Sequence, residues 1–150
     1  MQNNAVSVLL VEDDEDYREL TVAALNECCD PARILAVGDG EHALDYLFGR
    51  GEHAGRDARK QPRLVVLDLK LTRVHGMEVL KAMRDDPLTQ SVPVVVLSGS
   101  SEKAELDRCY KAGANSVVGK TGDIDEFRRK MRRMYEFWIT VNEANRNSRV

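Results

Sequence analysis

Five short β-branched, aliphatic runs, at residues 6–11, 34–37, 64–67, 94–97 and 116–119, alternate along the chain with stretches whose apolar residues recur at helical spacing. A run of four or five apolar residues with no polar alternation reads as a strand buried on both faces, and such strands belong to parallel sheets covered by helices. Parallel neighbours cannot be joined by a tight hairpin, so each connection is a crossover, and crossovers are right-handed. The pattern therefore predicts one doubly wound α/β domain with a five-stranded parallel sheet and five helices. At 150 residues the chain holds one such domain and little more.

The helices can be bounded from local signals. Tyr17, Leu20, Thr21, Ala24, Leu25 and Cys28 share one face of a helix over about 14–29, which Pro31 brings to an end. Residues 42–48 form a second helix stopped by Gly49; residues 77–84 and 102–111 form the third and fourth. The last opens with Asp123 three residues before Glu126, a carboxylate form of the capping box, and is expected to run to about 141. The domain thus spans 6–141 with an extended final helix, between tails at 1–5 and 142–150.

Other features narrow the functional class. Residues 49–63 are polar and glycine-rich, which predicts an exposed loop, and their glycines miss the spacing of a dinucleotide fingerprint. Cys28, Cys29 and Cys109 form neither a disulfide framework nor a zinc spacing, and His42, His53 and His75 lie scattered with no partner at ligand spacing. A net charge of −3 sets up no global field for nucleic acid or membrane. The basic cluster Arg128, Arg129, Lys130, Arg132 and Arg133 reads as a solvated helix face or a contact for an acidic protein, not a nucleic-acid site. With no leader and no spanning apolar run, a cytoplasmic protein is expected.

The chemistry is concentrated where strands end. Glu12 and Asp13 end the first strand, Asp68 the third, Ser98 the fourth and Lys120 the fifth. Ligands of open α/β sheets bind beyond the carboxyl ends of the strands, so four strands deliver these groups to one rim. Three crowded carboxylates repel one another, and a hard divalent cation, best Mg²⁺, keeps them ionised. A cation beside Asp68 would leave its carboxylate free to attack a phosphoryl group, with Lys120 and Ser98 pairing with the phosphoryl oxygens. On the sequence alone either Asp13 or Asp14 serves equally well as the cap of the first helix.

Over about residues 6–135 the chain resembles a response-regulator receiver domain: the acidic pair, Asp68, Gly76 eight residues on, Ser98 thirty on and Lys120 all match that family's motif. The resemblance implies a flavodoxin-like fold of strand order 2-1-3-4-5, with Asp68 as phosphoacceptor for a sensor histidine kinase. It also implies a Mg²⁺ site made by Glu12, Asp13, Asp68 and the backbone carbonyl of Lys70, and no enzymatic turnover beyond the domain's own phosphorylation and slow dephosphorylation. The polar loop before the third strand and the run Glu136, Phe137, Trp138, Ile139 resemble a narrower group, single-domain regulators paired with bacterial phytochrome kinases. No DNA-binding, methyltransferase or cyclase segment follows, so the signal is expected to leave by conformational change or through a phosphorelay.

The chain departs from the receiver pattern at three positions. Thr121 stands where a proline with a cis peptide is usual, Val117 where many receivers carry a switching aromatic, and Thr72 where a proline is common. A cis bond before Thr would cost ~3–4 kcal/mol, which leaves the geometry of the Lys120 loop open, and an aromatic-flip mechanism does not carry over. Two rival classes are distinguished by the same residues. A haloacid-dehalogenase-like phosphatase would place its nucleophile in an Asp-x-Asp motif after the first strand, where this chain has Glu12, Asp13 and Asp14. A pseudo-receiver would lack part of the acidic set or the lysine.

The final helix carries a second expectation. Ile124, Phe127, Met131, Met134, Trp138 and Val141 are spaced 3, 4, 3, 4 and 3, a heptad seam. Eighteen residues of helix span ~27 Å against ~17–20 Å for a strand, so the last turns overhang the sheet. Met134, Phe137, Trp138, Ile139 and Val141 are therefore expected to form a homodimer interface, the alternative being that Trp138 folds back on its own subunit.

Overall fold

A computed structural model describes residues 6–144; the expected tail at 1–5 and the last six residues of the other lie outside the described residues. Five strands, β1 (Val8–Val11), β2 (Ile34–Val37), β3 (Leu64–Asp68), β4 (Val94–Ser98) and β5 (Ser116–Gly119), form one parallel sheet in the order β2-β1-β3-β4-β5. Between and after them lie α1 (Glu15–Asn26), α2 (Gly40–Phe48), α3 (Gly76–Arg84), α4 (Lys103–Lys111) and α5 (Ile124–Tyr135). This is the flavodoxin-like arrangement.

Side chains alternate across the sheet and divide the core in two. Leu9, Val11, Val65, Leu67, Val94 and Val96 face Ala43, Leu47, Val79, Leu80 and Met83 of α2 and α3. On the other face Val8, Leu10, Leu64, Val66, Val95 and Leu97 meet Ala24 and Leu25 of α1 and Phe127, Met131 and Met134 of α5. Because β1 and β3 pair in register from Val8↔Leu64 to Val11↔Leu67, their carboxyl ends finish side by side, which brings Glu12 next to Asp68.

Several expectations need correction. The first strand begins at Val8 rather than residue 6, whereas β3 and β4 end at Asp68 and Ser98 as the sequence implies. The α-helical part of the last helix stops at Tyr135 and continues as a wide π-type turn over Glu136–Val141. The loop at 49–63 is pinned: a short 3-10 turn spans Gly51–His53, and Arg56 donates to the Tyr46 and Leu47 carbonyls at 2.7 and 3.2 Å while lying over the Tyr46 ring. Those are carbonyls of the last turn of α2, which lack partners within the helix.

The seam of α5 also turns inward. Phe127, Met131 and Met134 are buried in their own subunit, and Trp138 and Ile139 pack partly against the same core. Met134 therefore drops out of the expected interface, and Phe137 and Val141, 47% and 63% exposed, remain open. The packed face wins because α1 and β5 supply apolar surface within reach before any partner arrives. Among the described residues no helix is long and apolar enough to cross a membrane.

Candidate functional site

The strand ends converge as the sequence implies. Glu12 is fully buried; its amide donates to the Val37 carbonyl at 3.1 Å, so its backbone still follows the sheet. Arg18, one turn into α1, donates to the Glu12 carbonyl at 2.8 Å and fixes that end of β1. Asp14, not Asp13, caps α1, its carboxylate accepting from the Tyr17 amide at 3.1 Å. Asp13 is thereby left free for the rim, and Glu12, Asp13 and Asp68 each bring a carboxylate oxygen within 4.8 Å of the others.

Lys120 Nζ reaches in from the end of β5, 3.1 Å from Glu12 Oε1 and 3.3 Å from Asp68 Oδ1. The Lys120 amide donates to the Ser98 carbonyl at 2.8 Å, which ties the loop after β5 to the end of β4. Burial works against the Lys120 ammonium, but Asp68 and Glu12 outweigh it and hold its pKa above the ordinary lysine value. Burial pushes the Glu12 carboxyl up to about 7; the hydrogen bond with Asp68 and that residue's charge act in the same direction, and Lys120 opposes them.

These residues fit a hard divalent cation. Glu12 Oε1 is buried, and the Lys120 ammonium 3.1 Å away meets it without a well-aligned hydrogen bond. A cation there would give that oxygen a partner and remove the mutual repulsion of the carboxylates, and an all-oxygen donor set is what Mg²⁺ takes. Asp68, 4% exposed, accepts from the Lys70 amide at 3.3 Å, so the segment after β3 wraps its carboxylate. Gly76 lets α3 approach closely: a Cβ there would stand 2.5 Å from the Asp68 carbonyl oxygen and 2.9 Å from Leu69 Cα.

Ser98 is placed at the rim, with its hydroxyl engaged elsewhere. Its Oγ lies 3.0 Å from Glu105 Oε1 in the first turn of α4 and accepts from the Ser100 amide at 3.1 Å. Among the described residues there is no cis peptide, so Lys120–Thr121 is trans. Thr121 instead knits its loop with hydrogen bonds: its hydroxyl donates to Glu126 at 3.1 Å and accepts from the Asp123 amide at 3.2 Å.

Two residues of the site escape a reading of the sequence. Tyr17 sits in the apolar stripe of α1, yet its ring lies 4.5 Å under Lys120 Nζ and its hydroxyl donates to the Thr121 carbonyl at 3.0 Å. Glu105 is one acid among many on α4, and no local signal distinguishes it. The histidines also differ from expectation. His75 caps α3, accepting from the Met77 amide, but His42 and His53 are not scattered: their Nε2 atoms are 3.1 Å apart. Of the basic cluster, Arg128 and Arg132 pair with Glu27 of α1.

Known proteins are similar to this chain in sequence and fold. The chain is 34% identical over 137 residues to the probable methanogenesis regulatory protein FilR2 of Methanothrix harundinacea, covering 91% of this chain and 86% of that one. It is similar in structure to the phosphorylated cyanobacterial phytochrome response regulator RcpA, at 30% identity and TM-score 0.85 over 93% of this chain and 98% of that one. The Mn²⁺-bound form of the response regulator Rcp1, a protein of Synechocystis, is similar at 25% identity and TM-score 0.83 over 92% and 97% of the two chains. Residues 8–132 match the family described as the response regulator receiver domain, and the chain belongs to that family.

Proposed function

We propose that this chain is a two-component response regulator in which Asp68 accepts a phosphoryl group from the phosphohistidine of a sensor kinase, in a Mg²⁺-dependent reaction in the cytoplasm. The observation that carries this reading is the buried Asp68 carboxylate, flanked by Glu12 and Asp13 and faced by the Lys120 ammonium at 3.3 Å. An Asp68 oxygen forms the new bond to phosphorus as the donor's P–N bond breaks, and the electron pair leaves with the imidazole. Lys120 pairs with a phosphoryl oxygen, and Ser98 supplies a hydroxyl once it leaves Glu105. Glu12, Asp13, Asp68 and the Lys70 carbonyl would hold Mg²⁺, which supplies charge neutralisation at the transferring group. The domain catalyses its own phosphorylation and slow dephosphorylation and nothing further.

Similarity to RcpA and Rcp1 supports a phytochrome-type kinase as the donor. The signal then leaves by conformational change or by a relay. A homodimer is part of the same reading, supported by Phe137 and Val141 exposed beside half-buried Trp138 and Ile139. The open apolar groove between β5 and the end of α5, about 620 Å³ and lined by Val117, Val118, Phe137 and Trp138, adds surface for that contact.

The test is phosphotransfer from a panel of purified sensor kinases to the chain and to its Asp68→Asn variant. Transfer from a phytochrome kinase that outpaces the other kinases, and is absent from the variant, supports the pairing. Equal rates across the panel refute the pairing while leaving the phosphoacceptor reading intact.

A further inference from the structure

We propose that His42, His53 and Glu52 form a transition-metal site, with Zn²⁺ as its natural class of ion, that clips the 49–63 loop to α2. It shares no residue with the acidic rim. His42 stands in the first turn of α2, its amide held by the Asp39 cap at 2.7 Å, and His53 ends the short turn Gly51–His53 eleven residues later. The chain doubles back because Gly49 and Gly51 adopt φ of 65° and 57°, a left-handed geometry that other residues rarely take. Arg50 then donates its amide to the Asp45 carbonyl at 2.8 Å, and Arg56 locks the far side of the loop onto Tyr46 and Leu47. The two histidines are thus brought together by backbone geometry that does not depend on their own contact.

The ring geometry is that of a chelate close to assembly. The Nε2 atoms are 3.1 Å apart, the ring centroids 5.2 Å apart and the ring planes inclined at 28°. Two imidazoles on one tetrahedral ion, each at ~2.0–2.1 Å, set their nitrogens ~3.3–3.4 Å apart, so a few tenths of an ångström of opening admits the ion. Tyr46 meets the His53 ring edge-on at 5.1 Å and fixes its orientation. Glu52 completes the set: one of its carboxylate oxygens lies within 4.8 Å of a ring nitrogen of each histidine.

An N–H···N hydrogen bond between two neutral rings would account for the histidine pair alone, and would leave the Glu52 carboxylate with no part in the cluster. Two imidazoles and one carboxylate suit Zn²⁺, and water fills the fourth corner; Mg²⁺ prefers oxygen ligands and goes to the acidic rim instead. Binding would cross-link α2 to a loop that the chain otherwise holds by Arg56 and Asp45.

The experiment titrates Zn²⁺ into the full chain in excess Mg²⁺ by calorimetry, follows the imidazole nitrogens by NMR, and repeats the titration with Co²⁺ to read visible absorption. One ion per chain is expected, with both the His42 and His53 Nε2 resonances moving and Co²⁺ giving the intense bands of a four-coordinate site. His42→Ala and His53→Ala should each weaken binding at least about tenfold, Glu52→Gln by less, and Asp13→Asn not at all. Because Glu52 is exposed and the NMR arm uses the unmodified protein, the result does not hang on the fold of the histidine variants. Imidazole resonances that stay fixed at saturating Zn²⁺, or binding lost in Asp13→Asn and kept in His42→Ala, would overturn the proposal.

Discussion

Ser98 donates its hydroxyl proton to Glu105 across 3.0 Å, so the hydroxyl proposed to meet a phosphoryl oxygen is held by the first turn of the next helix. A carboxylate is a stronger acceptor than the Ser100 carbonyl that lies 3.1 Å from the same oxygen, and a hydroxyl has one proton to give. Glu105 is half-buried, so the latch contributes about 1 kcal/mol.

Release of that latch is the first expectation. In Glu105→Ala, amide exchange over residues 99–103 should speed up in the unphosphorylated protein toward the rate that the phosphorylated protein shows. Ser98→Ala should still take up phosphate but lose most of the change over residues 99–103. Unchanged exchange in Glu105→Ala would show that the hydrogen bond restrains nothing.

Stability should depend on pH and Mg²⁺ together. The folded Glu12 carboxyl titrates at about 7 against 4.5 for the ordinary side chain, so the folded state holds this proton more tightly than the unfolded one. Its contribution is complete below about 4.5 and is lost as pH rises through about 7. Without a divalent cation, denaturation at pH 8 should show a loss on the order of 1–3 kcal/mol relative to pH 5. Mg²⁺ favours the ionised carboxylates and should restore more stability at pH 8 than at pH 5. Glu12→Gln should flatten the profile; an equal Mg²⁺ effect at both pH values would contradict this account.

Gly76 gives a steric prediction. A Cβ at this position meets backbone atoms of Asp68 and Leu69, which do not yield as a flexible side chain would. Gly76→Ala should therefore cost about 1–3 kcal/mol in urea unfolding and slow phosphorylation by displacing Asp68. Gly122→Ala, where a Cβ has nothing within 4 Å, should change stability by less than about 0.5 kcal/mol.

Light scattering tests the self-association. The full chain should run as a dimer, and Phe137→Ser with Val141→Ser as a monomer of unchanged fold, because these two side chains are the exposed members of the patch. Trp138→Ala would be a poorer choice, since Trp138 also packs on its own core. A monomeric full chain at micromolar concentration would remove the patch as an interface.

The sequence carried the sheet and the rim for one physical reason: β1, β3 and β4 are built on short aliphatic runs, and the change to a polar residue marks their carboxyl ends. Glu12, Asp68 and Ser98 announce themselves by lying at those changes. What stays hidden depends on how side chains turn in space. Tyr17 obeys the apolar spacing of α1 and so looks like core, although it carries Lys120 on its ring. The meeting of His42 and His53 depends on two left-handed glycines, which spacing alone does not reveal. The heptad pattern of α5 predicts a dimer seam, but spacing does not say whether an apolar face meets a partner or its own sheet, and Phe127, Met131 and Met134 take the sheet.

The most direct test of the central claim is to find where the phosphoryl group goes. The protein is phosphorylated by a phosphohistidine donor in Mg²⁺, the acyl phosphate is trapped chemically, and the trapped residue is located by mass spectrometry. The account predicts a single modified residue, Asp68, and no modification of Asp68→Asn. Label at Asp13 or at any serine in the wild-type chain, or equal labelling of the variant, would contradict it.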